Sequence, residues 1–347
     1  MELETPLRDV PEVAAPETVA SGARSSSAWT LALFLLFWIL FYALNRGLPY
    51  LRNGSDIVMD AKKQFERTGR VFPSDPRVDR VLIFGNSKIL AGFLPALFDR
   101  LAAAGGMNVS SFNSGFPGSD EFLPELEDLC QRGQAPNVLL MTLPWKPDPA
   151  KRDIFHLIRD DHAVVGQLFP FRFWLRDFTN FLMTADNHGG ARRFYQESRG
   201  DARQVLDDRG YYLITEQSRF SGGRIPDDFK LATDQPGKVE RRVAPPPGGE
   251  TKELNRLLQR YHIRCYFVPY YLRAGEAAAP TDYDTDFARA VEGATSCKLA
   301  GPDYFLYPNR LFSDQTHLNT IGARVYTQAL FDLLRTRLDQ GREHALQ

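Results

Sequence analysis

Residue types that support nucleophilic catalysis occur in two segments far apart along the chain. Ser87 follows a short apolar run that ends at Gly85, whereas Asp314 and His317 lie three residues apart near the carboxyl end. A serine hydroxyl is a poor nucleophile until a base takes its proton, and the base must be oriented by a third group. At this spacing an Asp and a His can face the same way, so the carboxylate can bond one imidazole nitrogen and leave the other available. The two segments together could therefore form a catalytic triad.

A third segment, residues 113–120, reads Asn-Ser-Gly-Phe-Pro-Gly-Ser-Asp and lies between a predicted strand and a predicted helix. Its Gly118 allows a ligand to approach the backbone closely and offers an N–H group with no side chain in the way. The backbone N–H groups where a helix begins near Ser87 could hold an oxyanion. Taken singly, each segment is at least as consistent with an ordinary turn or loop, with Asp120 as an N-cap or His317 as a surface residue.

The elements that must position these residues alternate between strand and helix patterns. Alternation of this kind predicts an α/β fold in which a parallel sheet is covered by helices on both faces. Ligands bind such sheets at the carboxyl ends of the strands, which is where Ser87 and the 113–120 segment fall. The last predicted helix has Ile321, Val325, Ala329 and Leu333 on one apolar face. Strands are predicted at 80–85, 107–113, 137–143 and 263–269, and helices at 94–104, 120–132, 251–261 and 318–338.

Between residues 145 and 249 the alternation stops. This stretch contains an aromatic-rich piece at 168–182 and ends in Pro-Pro-Pro-Gly-Gly at 245–249. We interpret it as an insertion into the α/β domain that could form a lid over the site. Its aromatic residues are expected to be core, with an amphipathic surface against a membrane or a partner as the alternative.

Near the amino end, residues 28–44 read AWTLALFLLFWILFYAL. At about 1.5 Å per residue they span roughly 25 Å, slightly less than a bilayer core of about 30 Å, and flanking residues could extend the span. A cleavable signal peptide is disfavoured because the preceding 27 residues carry five acids against two arginines. Apolar residues on all faces disfavour a buried core helix. We predict a polar tail at 1–27, a transmembrane helix at 28–45, a stalk at 46–79 and an α/β domain at 80–347.

The charge balance around this span bears on its orientation. Arg24 precedes the span while Arg46 and Arg52 follow it, which weakly favours a cytoplasmic carboxyl side. Large domains translocate regardless of so small a bias, so the function predicted below carries more weight for orientation than these charges.

Composition excludes several functional classes. Lys and Arg number 42 against 43 Asp and Glu, a balance that argues against a nucleic-acid partner. The histidines form no set with metal-ligand spacing, and His156 and His162 are read as part of a solvated loop, so no metal site is predicted. Three cysteines are too few for a disulfide scaffold, and a bridge between Cys265 and Cys297 remains open.

The order and placement of the three segments resemble the SGNH (GDSL-like) hydrolase superfamily. In that family the Ser follows the first strand, a Gly after the second strand helps form the oxyanion hole, and D-x-x-H-L closes the domain. The resemblance covers roughly residues 80–143 and 251–338. It implies Ser87 as nucleophile, His317 as base and Asp314 as the orienting partner of that base. It also implies an oxyanion hole from the N–H groups of Ser87 and Gly118, with no cofactor.

The chain departs from the family pattern at two places. Asn86 replaces the usual Asp of the turn, which is a minor change because that Asp is not the nucleophile. The family's G-x-N-D after the third strand has no counterpart, since Met-Thr-Leu-Pro-Trp stands at 141–145. The oxyanion hole would then lack its side-chain donor, and loss of such a donor typically costs about 10²–10³ in rate.

In lacking this donor and in having a predicted anchor, the chain resembles the cell-envelope members of the superfamily that move acyl groups on polysaccharides. Examples are the alginate-acetylation proteins and the D-alanyl transfer protein of teichoic acids. The resemblance implies a single-pass protein of the bacterial inner membrane whose domain lies outside the cytoplasm, with a polysaccharide substrate and a multi-span acyltransferase as partner. We therefore expect a serine esterase or O-acyltransferase that works through an acyl-serine. The alternatives are a non-catalytic glycan-binding or scaffold protein of an acylation complex, and a lipid esterase on the cytoplasmic side.

Overall fold

The computed structural model describes most of the chain. The described residues are 22–47, 50–51, 54–116, 122–142, 171–214, 220–231, 234, 244–245, 248–276 and 285–345.

A five-stranded parallel sheet forms the centre of the fold, in the spatial order β2–β1–β3–β4–β6. A second, two-stranded parallel sheet pairs β5 with β7. The predicted α/β fold is confirmed at this level. The strands are β1 (Asp79–Gly85), β2 (Val109–Gly115), β3 (Val138–Thr142), β4 (Arg264–Val268), β5 (Tyr270–Arg273), β6 (Cys297–Leu299) and β7 (Tyr304–Tyr307).

Helices pack on both faces of the five-stranded sheet. Alternate residues of each strand point to opposite faces, so Leu82 belongs to one core and Val81 to the other. One core is completed by α5, α8 and α9, the other by α3, α4 and α10. The helices are α1 (Gly22–Gly47), α2 (Gly54–Arg67), α3 (Ser87–Gly92), α4 (Pro95–Ala104), α5 (Phe122–Gln131), α6 (Phe171–Ala185), α7 (Ala191–Asp207), α8 (Gly249–Arg260), α9 (Thr285–Ala294) and α10 (Thr320–Ala345).

Strand β2 and helix α10 differ from their predictions. β2 lies two residues later than predicted, because pairing with β1 continues to Gly115. The apolar face predicted for the last helix is only partly correct: Ile321 and Val325 are 62% and 40% exposed, whereas Leu333 is partly buried against the core. A second set at the same helical spacing, which includes Tyr326, Leu330 and Leu334, is buried against the sheet instead. The sequence offered two apolar faces, and the larger one packs on the core.

The predicted stalk contributes helix α2, which packs on the domain. Ile57, Val58 and Ala61 of this helix are buried in one cluster with Leu90 of α3 and Val205 of α7. The short helix that the sequence indicates near 56–67 is thus present as Gly54–Arg67, and it packs against the α/β unit.

Two helices, α6 and α7, lie within the predicted insertion. Phe181 of α6 is buried with Phe194 of α7 and with Leu51, which agrees with a core role for this aromatic residue. Met183 of α6 is 74% exposed. The segment that contains His156 and His162 lies outside the described residues.

Helix α1 covers the apolar stretch near the amino end. Its described large apolar side chains are mostly exposed, with Trp29 at 71% and Ile39 at 64%, whereas Phe41 is buried. The transmembrane helix predicted at 28–45 is not confirmed: over the described residues, no helix combines the length and the apolarity needed to cross a membrane.

A disulfide joins Cys265 and Cys297, which are direct neighbours on the parallel strands β4 and β6. Their Cα atoms are 4.4 Å apart, within the range that a disulfide bridges. Cys130 is buried and free. The pairing that the sequence left open is therefore present, and it cross-links the sheet edge that carries β6.

Replacing both Cys265 and Cys297 with alanine is expected to lower the free energy of unfolding by about 3–4 kcal/mol, because the bridge closes a loop of 32 residues in the unfolded chain. Urea denaturation of the full chain in detergent measures the change. Reductant should lower the midpoint of the wild type and of a Cys130→Ala control, yet leave the double variant unchanged. A wild-type midpoint that reductant does not move would contradict the bridge.

Gly115→Ala is expected to destabilise the fold by about 1–3 kcal/mol, because an added Cβ would lie 2.3 Å from the backbone nitrogen of Leu90 and force α3 to move. The matched control is Gly200→Ala in α7, where nothing lies within 4 Å and where the exchange should stabilise the helix by about 0.5–1 kcal/mol. Urea denaturation compares the two. Equal and small effects would show that α3 does not rest on β2 as described.

Candidate active site

His317 and Asp314 form a hydrogen-bonded pair in the loop that precedes α10. The Asp314 Oδ2 atom lies 2.8 Å from His317 Nδ1. Its Oδ1 atom accepts hydrogen bonds from the backbone N–H groups of Thr316 at 2.8 Å and His317 at 2.7 Å. One carboxylate therefore shapes the turn and holds the imidazole ring. Because an ionised carboxylate can only accept, Nδ1 carries the hydrogen of this bond.

The second ring nitrogen of His317 is available. Both His317 and Asp314 are buried, and the Nε2 atom has no hydrogen-bonding partner among the described residues. Buried polar atoms in proteins are normally hydrogen-bonded, so an exception calls for an explanation. A role as general base explains the unpartnered Nε2 atom, because its partner would be a nucleophile or substrate that is present only during the reaction.

Asp314 is suited to remain ionised beside this histidine. Burial alone would raise the pKa of its carboxyl, but hydrogen bonds from the His317 side chain and the Thr316 N–H outweigh burial and lower the pKa below its usual value. A carboxylate that stays charged orients the imidazole and stabilises the imidazolium that forms when Nε2 takes a proton.

Ser87 lies at the carboxyl end of β1 as the first residue of α3, and it is half-buried. Asn86 is the N-cap of this helix, and its Oδ1 atom accepts a hydrogen bond from the Lys88 N–H at 2.9 Å. The turn that presents Ser87 is therefore set by the residue that departs from the family pattern. Asn is as good an N-cap as Asp, so Asn86 serves this turn as well as an Asp would.

Asn113, from the 113–120 segment, holds α3 in place. Its fully buried side-chain amide donates to the carbonyls of Ile89 at 2.9 Å, Leu90 at 3.2 Å and Phe93 at 2.8 Å. Two residues further on, Gly115 lets the α3 backbone rest directly on β2. The start of this segment therefore positions the helix that carries Ser87.

Tyr271 ties the Ser87 helix to the His317 loop. Its fully buried hydroxyl donates to the carbonyl of Lys88 at 2.8 Å, and its ring packs edge-on against Phe312, which forms a β-bridge with Leu318. Tyr271 thus contacts the residue next to Ser87 and, through Phe312, the residue next to His317, although 230 positions separate Ser87 from His317.

The predicted site residues have different outcomes. Asp314 and His317 are paired as expected, and Ser87 lies on the adjoining helix. Gly118 lies outside the described residues, and so do residues 143–145 of the 141–145 segment. No cluster of potential metal ligands occurs in the part of the chain that the structure describes.

Sequence reasoning missed the role of Tyr271 and of the Asn113 side chain. Tyr271 follows a buried strand and has the pattern of a core aromatic residue, so nothing in its local sequence marks a hydroxyl that bonds α3. The signal for Asn113 was stronger, because an amide within an otherwise apolar strand must find partners when it is buried.

Comparisons with known proteins do not place the chain in a family. No protein-family model, curated protein or solved structure matches it. The interpretation of the site therefore rests on its own geometry.

Tyr271→Phe is expected to lower the free energy of unfolding by about 1–3 kcal/mol, because the carbonyl of Lys88 loses its buried hydroxyl donor. Tyr307→Phe is the matched control, since the buried Tyr307 hydroxyl has no partner among the described residues and its removal should be neutral or stabilising. Urea denaturation of both variants provides the comparison. A Tyr271→Phe effect no larger than that of the control would contradict this hydrogen bond.

Proposed function

We propose that this chain is a membrane-anchored serine acyl-ester hydrolase or O-acyltransferase of the SGNH type. Its substrate is a cell-envelope or exported polysaccharide, its nucleophile is Ser87 and its base is His317. It acts beside a multi-span acyltransferase of the bacterial inner membrane.

The observation that carries this proposal is the state of His317. Its Nδ1 atom is bonded to a buried carboxylate, its Nε2 atom has no partner among the described residues, and Tyr271 links its loop to the helix that begins at Ser87. A buried structural histidine would use both of its ring nitrogens. A general base needs one nitrogen oriented and the other open to the proton that it removes.

In the proposed mechanism, His317 Nε2 takes the hydroxyl proton as the Ser87 oxygen attacks the ester carbonyl. Asp314 holds the resulting imidazolium by the hydrogen bond at Nδ1. The carbonyl oxygen becomes an oxyanion, for which the backbone N–H groups of Ser87 and Gly118 are the proposed donors. Collapse of this intermediate expels the alcohol, which takes the proton from His317. A sugar hydroxyl or water then attacks the acyl-serine in the same manner.

Two features support a membrane anchor and a domain outside the cytoplasm. Helix α1 exposes a continuous set of large apolar side chains, which a soluble surface rarely shows and which lipid would cover. The Cys265–Cys297 disulfide fits an oxidising compartment, because such bridges are rare in cytosolic proteins. Both argue against the lipid esterase on the cytoplasmic side, although Arg46 and Arg52 favour that orientation.

A second candidate function is a non-catalytic glycan-binding or scaffold protein of an acylation complex. The sequence Met-Thr-Leu-Pro-Trp at 141–145 favours it, because the side-chain donor that the family places there is missing. The paired Asp314 and His317 argue against it, since a scaffold does not need an imidazole nitrogen kept open within a buried turn.

Ser87→Ala is expected to abolish covalent labelling of the chain by a fluorophosphonate, and His317→Gln to lower the labelling rate by at least about 10³. The rate is measured on the full chain in detergent, with Ser296→Ala, at an exposed serine, as the control that labels like the wild type. Thermal melts check that each variant folds.

Undiminished labelling of Ser87→Ala would rule out the assigned nucleophile. A wild type that neither reacts with the fluorophosphonate nor turns over an aryl acetate would favour the scaffold. Turnover by the wild type that Ser87→Ala loses would favour the enzyme.

A further inference from the structure

Lys62 of α2 is a buried cation beneath the candidate site. Its side chain has no exposed surface, and its Nζ atom donates hydrogen bonds to the carbonyls of Asn113, at 2.8 Å, and Gly115. Removing an ammonium group from water costs free energy, so a lysine is buried only where several polar or charged partners offset that cost. Neither the local sequence nor the proposed mechanism assigns Lys62 a role.

Polar and aromatic groups from three elements surround this ammonium. Glu66 on α2 and Glu125 on α5 provide negative charge, and the Phe116 ring faces Nζ at 5.0 Å from its centroid. Burial lowers the pKa of Lys62 to about 7, against the opposing effect of the two carboxylates. The cation is thus held by two carbonyls, two acids and a ring at one end of β2.

The two carbonyls belong to the residues that hold the Ser87 helix. The Asn113 side chain bonds the carbonyls of Ile89, Leu90 and Phe93, and Gly115 is the residue on which Leu90 rests. Any shift of the β2 backbone at these positions would therefore move α3. The same segment continues into Phe116, whose N–H bonds the carbonyl of Gly85 at 2.9 Å, directly before the turn to Ser87.

We propose that Lys62 is a positioning residue for Ser87: by clamping the Asn113 and Gly115 carbonyls it fixes the end of β2 on which α3 lies. This inference rests on the proposed function for its catalytic consequence and on the described contacts alone for its structural one. It makes α2, the helix that follows the proposed anchor, a part of the catalytic framework.

The test compares Lys62→Met, which keeps the apolar stem and removes the ammonium, with Lys63→Met one residue further along α2, where the side chain is partly exposed. The first measurement is hydrogen–deuterium exchange of the full chain in detergent. We expect the amides of residues 88–93 to exchange at least tenfold faster in Lys62→Met and at the wild-type rate in Lys63→Met, while amides of β3 and β4 stay protected. If the substitution only destabilised the fold as a whole, the amides of β3 and β4 would also exchange faster.

The second measurement is the fluorophosphonate labelling rate at Ser87, taken well below the melting temperature of each variant. We expect at least a tenfold loss in Lys62→Met and none in Lys63→Met. Lys62→Gln, which retains N–H donors, should recover part of the rate, and it takes the place of Lys62→Met if that variant does not fold. Wild-type exchange at residues 88–93 in the Lys62 variants would overturn the proposal.

The two measurements separate this inference from the proposed function. If the wild type is not labelled, the enzyme assignment fails, while the exchange of residues 88–93 still decides whether Lys62 holds α3. If labelling depends on Ser87 yet is the same in both Met variants, the enzyme stands and the role of Lys62 fails.

The pH dependence of stability gives a third measurement. The unfolded chain keeps its Lys62 proton up to the usual pKa of 10.5, whereas the folded chain releases it from about pH 7. The unfolded state therefore binds more protons between these values, so the stability of the wild type relative to Lys62→Met should rise with pH over this window. A constant difference would contradict the lowered pKa of Lys62.

Discussion

The short length of α3 is the constraint on which the site depends. A helix of six residues satisfies few of its own carbonyls, because the last four of any helix lack partners within it. Groups from surrounding elements supply them. Tyr271 bonds the carbonyl of Lys88, the Asn113 amide bonds those of Ile89 and Leu90, and the Tyr212 N–H also bonds that of Leu90. Each bond fixes the helix to a different part of the fold, so the turn at its start is held from several directions.

The polar groups around α3 are buried, so the stability of the fold depends on each of them keeping its hydrogen-bonding partner. A buried acceptor that loses its donor costs about 1–3 kcal/mol, several times the net gain from an exposed hydrogen bond. The Asp314–His317 pair, the Tyr271 hydroxyl and the Lys62 ammonium all lie within the protein, at or beneath the carboxyl edge of the sheet. Among these groups, the His317 Nε2 atom is the one without a hydrogen-bonding partner in the described part of the chain.

The site and the proposed anchor are connected through α2. This helix follows α1 by a few residues, packs on α7 and Leu90, and carries Lys62 to the end of β2. Residues predicted as a stalk thus contact the framework of the site. For a protein proposed to receive acyl groups from a membrane partner, such a connection would hold the nucleophile at a defined distance from the bilayer.

Local sequence was sufficient for the α/β alternation, the Asp314–His317 pair and the placement of Ser87 after a strand. Each of these depends on interactions between residues that are close in the chain: strand pattern, helix capping and a three-residue spacing. It was not sufficient for α10, where two apolar faces at the same spacing competed and only contact with the sheet decided between them. The roles of Tyr271, Lys62 and the Asn113 side chain likewise depend on partners 20 to 183 positions away, and their local sequences resemble those of ordinary core or surface residues. The sequence by itself determined which groups could do chemistry, and the tertiary structure decided which buried donors and acceptors hold them in place, because that choice depends on packing between distant segments.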